Sequence, residues 1–214
     1  MKNPLPTAIA LAACSLFLTL SAQAVPVTVS GAAGPWDVSL NPSYDYGFGQ
    51  LQSTVVNSVS GVDFTAGNQL TITSLTPGQR TLLADAGDSI YSDANGVWWF
   101  WGPVSDGTPG KYIPGTHFVE ELLGTFAYDG VIVGNPFSIG NGPTTVIIPE
   151  NANQLLMGVN DDNYTDNGGS VTVDVSVSAW APVPEAAPTI WLLGISVGGM
   201  ALLRGLNRPR TGRV

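Results

Sequence analysis

Residues 170–178 constrain the fold most strongly, because their polarity alternates with a strict period of two. Apolar and polar positions take turns along the whole stretch. The apolar side holds Val171, Val173, Val175 and Val177, and the polar side includes Thr172, Asp174 and Ser176. Such alternation is typical of a β-strand that buries one face.

Seven further stretches share a strand-like composition between turn signals, and they predict many short strands. They are residues 25–29, 51–60, 70–74, 97–101, 125–133, 144–148 and 155–159. Only residues 118–123 suggest a helical turn. This pattern predicts an all-β protein with one domain that is a β-sandwich or resembles a jelly roll.

The predicted domain, residues 25–182, is strongly acidic. It carries fifteen of the sixteen acidic residues of the chain, and its only basic residues are Arg80 and Lys111. This charge excludes nucleic acid as a partner, because phosphate binding needs a basic surface. Acidic loops suit divalent cations, although solubility also accounts for most of the acidic residues.

Residues 1–24 have the organisation of a secretory signal peptide. Lys2 supplies a positive charge, residues 8–20 are apolar, and the Ala-Gln-Ala sequence at 22–24 is a small-x-small cleavage site. We therefore expect the secretion translocon to export the chain through the inner membrane. The exported protein then begins at Val25.

A lipoprotein-type sequence offers an alternative start, because residues 11–14 read Leu-Ala-Ala-Cys. On the favoured interpretation Cys14, the only cysteine of the chain, is removed with the signal peptide. The exported protein then has no thiol, which excludes disulfide, zinc-thiolate and cysteine-nucleophile chemistry.

Residues 183–210 have three parts that are typical of a sorting signal. Val183, Pro184 and Glu185 form a short motif, residues 189–203 are apolar and uncharged, and an arginine-rich tail follows. Fifteen residues form a helix of roughly 22 Å, which is short beside the about 20 residues of a permanent span. The segment therefore suits a transient transmembrane anchor, and an ordinary C-terminal anchor is the alternative.

This tail resembles the PEP-CTERM family of bacterial sorting signals. The resemblance covers residues 183–210 and departs at Ala186, where the family has a second proline. It implies that an integral-membrane exosortase recognises and removes the tail. It also implies a final location at the cell surface or in the extracellular matrix, in association with exopolysaccharide.

The loop at residues 160–167 is the candidate for ligand chemistry. It reads Asn-Asp-Asp-Asn-Tyr-Thr-Asp-Asn, so six of its eight side chains offer carboxylate or amide oxygens. Calcium takes six to eight oxygen ligands, and a cation would relieve repulsion between the carboxylates. The spacing is not that of an EF-hand. A plain turn remains open, because Asn and Asp also form turns with their own backbone.

Residues 123–140 and 155–170 resemble the bacterial galactose-specific lectin family. The resemblance includes the Asn-Asp start of the loop and its Asp-Asn-Gly-Gly-Ser end. It implies a small β-sandwich with one calcium ion that touches sugar hydroxyls. The ligands that it implies are Asp161, the Asn163 carbonyl, Asp166 and Asn167. The sugar-contacting His-x-x-Gln of that family has no match here, so the sugar-binding residues are unknown.

The aromatic run at residues 97–102 has two interpretations. Strand alternation places Trp99 and Trp101 on one face and Trp98 on the other. Core or interface packing is favoured, because large aromatic side chains contribute most burial there. A sugar-stacking platform is the alternative.

The sequence offers no catalytic constellation. Glu120 and Glu121 are adjacent, whereas glycosidase carboxylates lie about 5 to 9.5 Å apart across a substrate, so a solvated face is favoured. His117 lacks a nucleophile motif. We therefore expect a surface-sorted, non-catalytic protein that binds carbohydrate with calcium. A matrix protein without a ligand site is the alternative, and a hydrolase is the weakest hypothesis.

Overall fold

The computed structural model describes residues 24–44, 46–99, 103–105, 112–113 and 115–179. Within these residues the protein is all-β, and its only helical element is a short 3-10 helix at Ser58–Ser60. The strands in chain order are β1 (Val25–Ser30), β2 (Thr54–Asn57), β3 (Gln69–Ser74), β4 (Leu82–Asp85), β5 (Ile90–Ser92), β6 (Pro103–Ser105), β7 (Thr116–Phe118), β8 (Leu122–Tyr128), β9 (Val131–Ile132), β10 (Phe137–Ser138), β11 (Thr144–Ile147), β12 (Gln154–Val159) and β13 (Gly168–Ser178).

The strands form antiparallel sheets. The first sheet has the order β11-β3-β13-β4-β5, and β1 also pairs with β13. The second has the order β10-β8-β12-β2, with β9 paired to β8, and β6 and β7 form a separate hairpin. The curled antiparallel sheets are consistent with a β-sandwich.

One cluster of buried apolar side chains joins the two main sheets. The first sheet contributes the alternate valines of β13, and the second contributes side chains such as Phe126 and Leu155. Strand β12 is buried along almost its whole length. The segment before β2 covers it closely, since a Cβ at Gly158 would lie 2.2 Å from the Gly34 carbonyl carbon. This packing fixes the end of β12, where loop 160–167 begins.

The structure confirms five of the predicted strands with shifts of one or two residues: those at 25–29, 70–74, 144–148, 155–159 and 170–178. The strand predicted at 125–133 is instead a hairpin, because Asp129 and Gly130 turn the chain with positive φ values of 48° and 84°. Residues 97–99 lie in a bend and a turn rather than in a strand. The strand predicted at 51–60 is shorter and ends in the 3-10 helix.

The helical turn suggested at residues 118–123 is wrong. Strand β7 ends at Phe118, a turn covers Val119 and Glu120, and β8 begins at Leu122. The sequence interpretation also missed β4, β5, β6, β7 and β10. These strands have two to four residues, too few to produce a clear alternation.

Residues 1–23 of the signal peptide predicted at 1–24 and the whole sorting tail predicted at 183–210 lie outside the described residues. The described residues include no helix that is long and apolar enough to cross a membrane. The predicted processing of both ends therefore stays a prediction.

Candidate cation site

Loop 160–167 joins β12 to β13 and is held in place from inside by Tyr164. The Tyr164 side chain is buried, and its hydroxyl donates a hydrogen bond to the Val159 carbonyl over 2.6 Å. The same hydroxyl lies 3.3 Å from the Asp161 N–H, from which it accepts. The backbone of Phe48 pairs with the loop on its other side, through Asp162 and Tyr164. The loop therefore has a fixed shape.

The acidic and amide side chains of the loop also bond within it. Asp161 Oδ1 accepts from the backbone N–H of Asp162 at 2.6 Å. Asn163 Oδ1 accepts from the Thr165 hydroxyl, and Asn163 Nδ2 donates to Asp166 Oδ2 over 2.8 Å. The backbone N–H groups of Asn163 and Thr165 also donate to Asp161 Oδ1 and Asn163 Oδ1, which are the bonds of Asx turns. All these bonds use one oxygen of Asp161 and one of Asp166, and they leave the other oxygen of each side chain.

The turn between β7 and β8 places Glu120 against this loop. The Glu120 N–H donates to the Asn160 carbonyl over 2.7 Å, and the Asn160 N–H donates to the Glu121 carbonyl over 3.0 Å. The Glu120 side chain is 0% exposed. Its Oε2 accepts from Asn167 Nδ2 over 3.0 Å, so the carboxylate reaches the end of the loop.

Four neighbouring side chains each hold a buried oxygen with no hydrogen-bond partner. Buried polar groups are normally hydrogen-bonded, and an unsatisfied one costs about 1–3 kcal/mol, or more when it is charged. Seven buried side-chain atoms among the described residues lack a partner, so this cluster accounts for most of them. The four are Glu120 Oε1, Asp161 Oδ2, Asp166 Oδ1 and Asn167 Oδ1.

Burial disfavours the charged forms of two acidic side chains in the cluster, Glu120 and Asp161. Burial raises the pKa of Glu120 well above its usual range, and the negative charges of Asp161 and Asp166 raise it further. Burial also raises the pKa of Asp161 to about 7, while the neighbouring Asn167 side chain and two backbone N–H groups act in the opposite direction. A positive ion among these oxygens would reverse this cost.

A small cavity of about 80 Å³ lies beside the loop. Asp85, Asp161, Asn163 and Asp166 contribute to its lining. Because about 10–15 Å³ of space open to a water-sized sphere holds one water molecule, this cavity suits an ion with a few small oxygen ligands rather than a sugar ring.

The described residues contain no group of three or more histidine, cysteine, aspartate and glutamate side chains that could hold a metal ion. A cation bound here would therefore need amide or backbone oxygens among its ligands and small rotations of the carboxylates. Calcium commonly takes such oxygens and tolerates irregular geometry.

The structure brings three of the four predicted ligands together, with Asp161, Asp166 and Asn167 each contributing a buried oxygen. The side chain of Asn163 bonds within the loop, and the predicted contact through its carbonyl stays a prediction. The sequence interpretation missed Glu120. Its only signal is an acidic pair, Glu120 and Glu121, between two apolar pairs, Phe118-Val119 and Leu122-Leu123.

The solvated face expected for Glu120 and Glu121 is wrong, because both side chains are buried. Glu121 Oε2 accepts from the Phe118 N–H over 2.8 Å and lies 3.6 Å from His117 Nδ1. The Ser138 hydroxyl contacts the same Nδ1 at 3.2 Å. A nucleophile relay needs its hydroxyl on one ring nitrogen and its acid on the other, so this group does not have that arrangement.

Of the core or interface packing favoured for the aromatic run, the core part is wrong for Trp98 and Trp99, and interface packing and a sugar-stacking platform stay predictions. Trp98 is 58% exposed and Trp99 is 36% exposed, because the chain turns here. The guanidinium of Arg80 lies 3.9 Å from the centre of the Trp99 ring. Trp101 lies outside the described residues.

Comparison of the chain with protein-family models, with curated proteins and with solved structures found no match in any of the three. The resemblances to sorting tails and to a lectin family therefore stay predictions, and the site itself carries the functional argument.

Proposed function

We propose that the exported protein binds calcium at loop 160–167 and uses this ion to bind carbohydrate. The observation that carries the proposal is that Asp161, Asp166 and Asn167 each hold a buried oxygen without a hydrogen-bond partner. Oxygens of this kind are the ligands that calcium prefers. A bound ion would give all three a partner at once.

The cavity beside Asp161 and Asp166 admits small oxygen groups rather than a whole sugar ring, so the carbohydrate part of this proposal rests on hydroxyls that reach into it. An ion at its base could take its remaining ligands from small oxygen groups that enter the cavity. Neighbouring hydroxyls of a sugar are such groups, and water is the ligand that they would replace. The strongly acidic composition of residues 25–182 favours a cation as the link to a glycan.

The two ends of the chain support an extracellular setting for this activity. We infer export by the signal peptide, transient anchoring by residues 189–203, and processing by an exosortase-type enzyme at the motif of Val183, Pro184 and Glu185. The processed protein would reach the cell surface or the extracellular matrix, where exopolysaccharide is the available ligand. The proposed role is non-catalytic.

A glycan array tests this function. The exported protein is applied in millimolar calcium and again in calcium-free buffer with chelator, together with the variants Asp161→Asn and Asp166→Asn. We expect wild-type binding that needs calcium and that both variants lose. Asp174→Asn is the matched control, since Asp174 lies within strand β13 and outside loop 160–167. Equal wild-type binding with and without calcium would contradict the proposal.

A structural matrix protein without a discrete ligand site is the second candidate. The bonds that Asp161 and Asn163 make within the loop favour it, because they hold the loop in shape without an ion. If this alternative holds, the protein binds no glycan on the array in either buffer.

A further inference from the structure

We propose that Glu120 is a direct ligand of the cation, so that the ion joins the β7–β8 turn to loop 160–167. This inference rests on the proposed cation site and adds a ligand from outside the loop. The ion would then link two segments of the chain and also contact the sugar.

The backbone around Asn160 fixes the position of Glu120. Besides the two backbone bonds to Glu120 and Glu121, the Asn160 side chain accepts from the Ile113 N–H over 2.9 Å. Its Nδ2 donates to the Phe118 carbonyl over 3.1 Å. Asn160, the first residue of the loop, is thereby bonded to the turn that carries Glu120 through both its backbone and its side chain. The turn therefore cannot move away from the loop without breaking several hydrogen bonds.

Among the described residues, the Glu120 carboxylate has only a partial set of partners. Asn167 Nδ2 donates to Oε2, whereas Oε1 is buried without a hydrogen bond. The acidic side chains next to it are those of Asp161 and Asp166, which offer no positive charge. Of the two basic residues in the exported domain, Arg80 lies over Trp99 and Lys111 lies outside the described residues. A buried carboxylate in this setting needs a cation or a proton.

Two backbone features make room for the carboxylate. Glu120 has a φ of 60°, a left-handed conformation that is uncommon for a residue other than glycine and costs free energy. A Cβ at Gly31 would lie 2.2 Å from the Gly168 carbonyl oxygen and 2.7 Å from Glu120 Oε1, so glycine at this position lets both oxygens lie close to the backbone. The buried Oε1 therefore lies in a tightly packed place between Gly31 and the end of loop 160–167.

A protonated, neutral Glu120 is the competing explanation. Glutamine has nearly the same shape as the neutral acid, so Glu120→Gln would then leave calcium affinity unchanged. As a ligand, Glu120 must supply charge to the ion, and the amide would weaken binding. The carboxylate must also rotate toward the ion, because the three acidic side chains do not form a ready-made metal group.

The experiment measures calcium binding by the exported protein through calorimetric titration and through terbium luminescence sensitised by Tyr164. Four proteins are compared: wild type, Glu120→Gln, Asp161→Asn and Glu121→Gln. Glu121→Gln is the matched control, since its side chain is also buried and accepts from the Phe118 N–H instead of from the loop. Glu120→Asp replaces Glu120→Gln if the latter does not fold, because it keeps the charge and shortens the reach.

We expect Glu120→Gln to lower calcium affinity at least tenfold and Glu121→Gln to leave it within about twofold of wild type. Glu120→Asp should also bind more weakly than wild type. Loss of binding in Asp161→Asn with wild-type affinity in Glu120→Gln or Glu120→Asp would overturn this inference alone. Absence of calcium binding in wild type would overturn the proposed function together with it.

Discussion

Asn167 Nδ2 donates a hydrogen bond to Glu120 Oε2 over 3.0 Å, across 47 residues of sequence. The same nitrogen also lies 3.2 Å from the Gly31 carbonyl, to which it donates. One amide group therefore joins the segment after β1, the turn before β8 and the end of loop 160–167. Because both bonds use the nitrogen, the amide oxygen of Asn167 is left without a partner.

Calcium should stabilise the exported protein. A ligand that binds only the folded state at 100 times its dissociation constant raises the free energy of unfolding by about 2.7 kcal/mol. We expect Asp161→Ala and Asp166→Ala each to remove most of this gain, and Glu121→Ala to keep it. Thermal melting in millimolar calcium and in chelator measures the effect. Identical melting curves for wild type in the two buffers would leave the loop as a plain turn.

Asn167→Asp should make the fold more dependent on calcium. The substitution removes the donor to Glu120 and places a further carboxylate beside it, so in chelator we expect a lower melting temperature than in wild type. Calcium should restore most of the loss. Asn167→Ala is the informative comparison, since it also removes both bonds but adds no charge and should recover little. Urea unfolding with and without calcium distinguishes the two, and equal recovery would contradict a cation at this amide.

The calcium-free protein should lose stability as the pH rises. Asp161 has a folded-state pKa of about 7 against an ordinary value of 3.8, so the folded state holds more protons between these values. The free energy of unfolding therefore falls as the pH rises through this window, and the raised pKa of Glu120 acts in the same direction.

Urea unfolding in calcium-free buffer, from about pH 5 to about pH 8, measures this dependence. Asp161→Asn should flatten the profile because the titrating group is gone. Saturating calcium should also reduce the slope, since the ion replaces the protons. Stability that rises with pH in calcium-free buffer would show that these carboxyls are not destabilised by burial.

Tyr164→Phe should destabilise the loop from inside. The change removes the hydroxyl that donates to the Val159 carbonyl and accepts from the Asp161 N–H. A buried group left without its partner costs about 1–3 kcal/mol. Denaturant unfolding in calcium-free buffer measures the loss. Tyr128→Phe, at an exposed position, is the matched control and should change stability little.

The sequence predicted β13 well because this strand has one buried and one more exposed face, which leaves an alternation that can be read directly. The hairpin of β8 and β9 was missed although Asp129-Gly130 is a strong turn signal. The apolar residues before the turn made the two strands look like one, since β8 is buried on both faces and its sequence does not alternate.

The candidate site was only half predictable for a similar reason. Residues 160–167 are contiguous, so their oxygen-rich composition was visible in the sequence. Glu120 meets them only because antiparallel pairing of β8 with β12 brings the start of one strand to the end of the other, through Leu122 and Val159. Burial of the Glu120 side chain depends on this long-range pairing, so no local sequence pattern predicts it.

Processing of the two ends gives the last prediction. Strand β1 begins at Val25, which pairs with Val175, so cleavage after Ala24 would leave the strand complete. Strand β13 ends at Ser178, so removal of the tail near residues 184–187 would leave the domain intact. The intact mass of protein recovered from the cell surface should therefore correspond to a chain that begins at Val25 and lacks the arginine-rich end.

Ala24→Leu should block the first cleavage, because signal peptidase sites need small residues, and should shift the N-terminus of the recovered protein. Cys14→Ala is the control and should leave the mass unchanged, since Cys14 lies in the segment that we expect to be removed. A lipid-modified N-terminus at Cys14 would contradict the Ala24 site. Surface protein that still ends in the arginine-rich tail would contradict processing by a sorting enzyme.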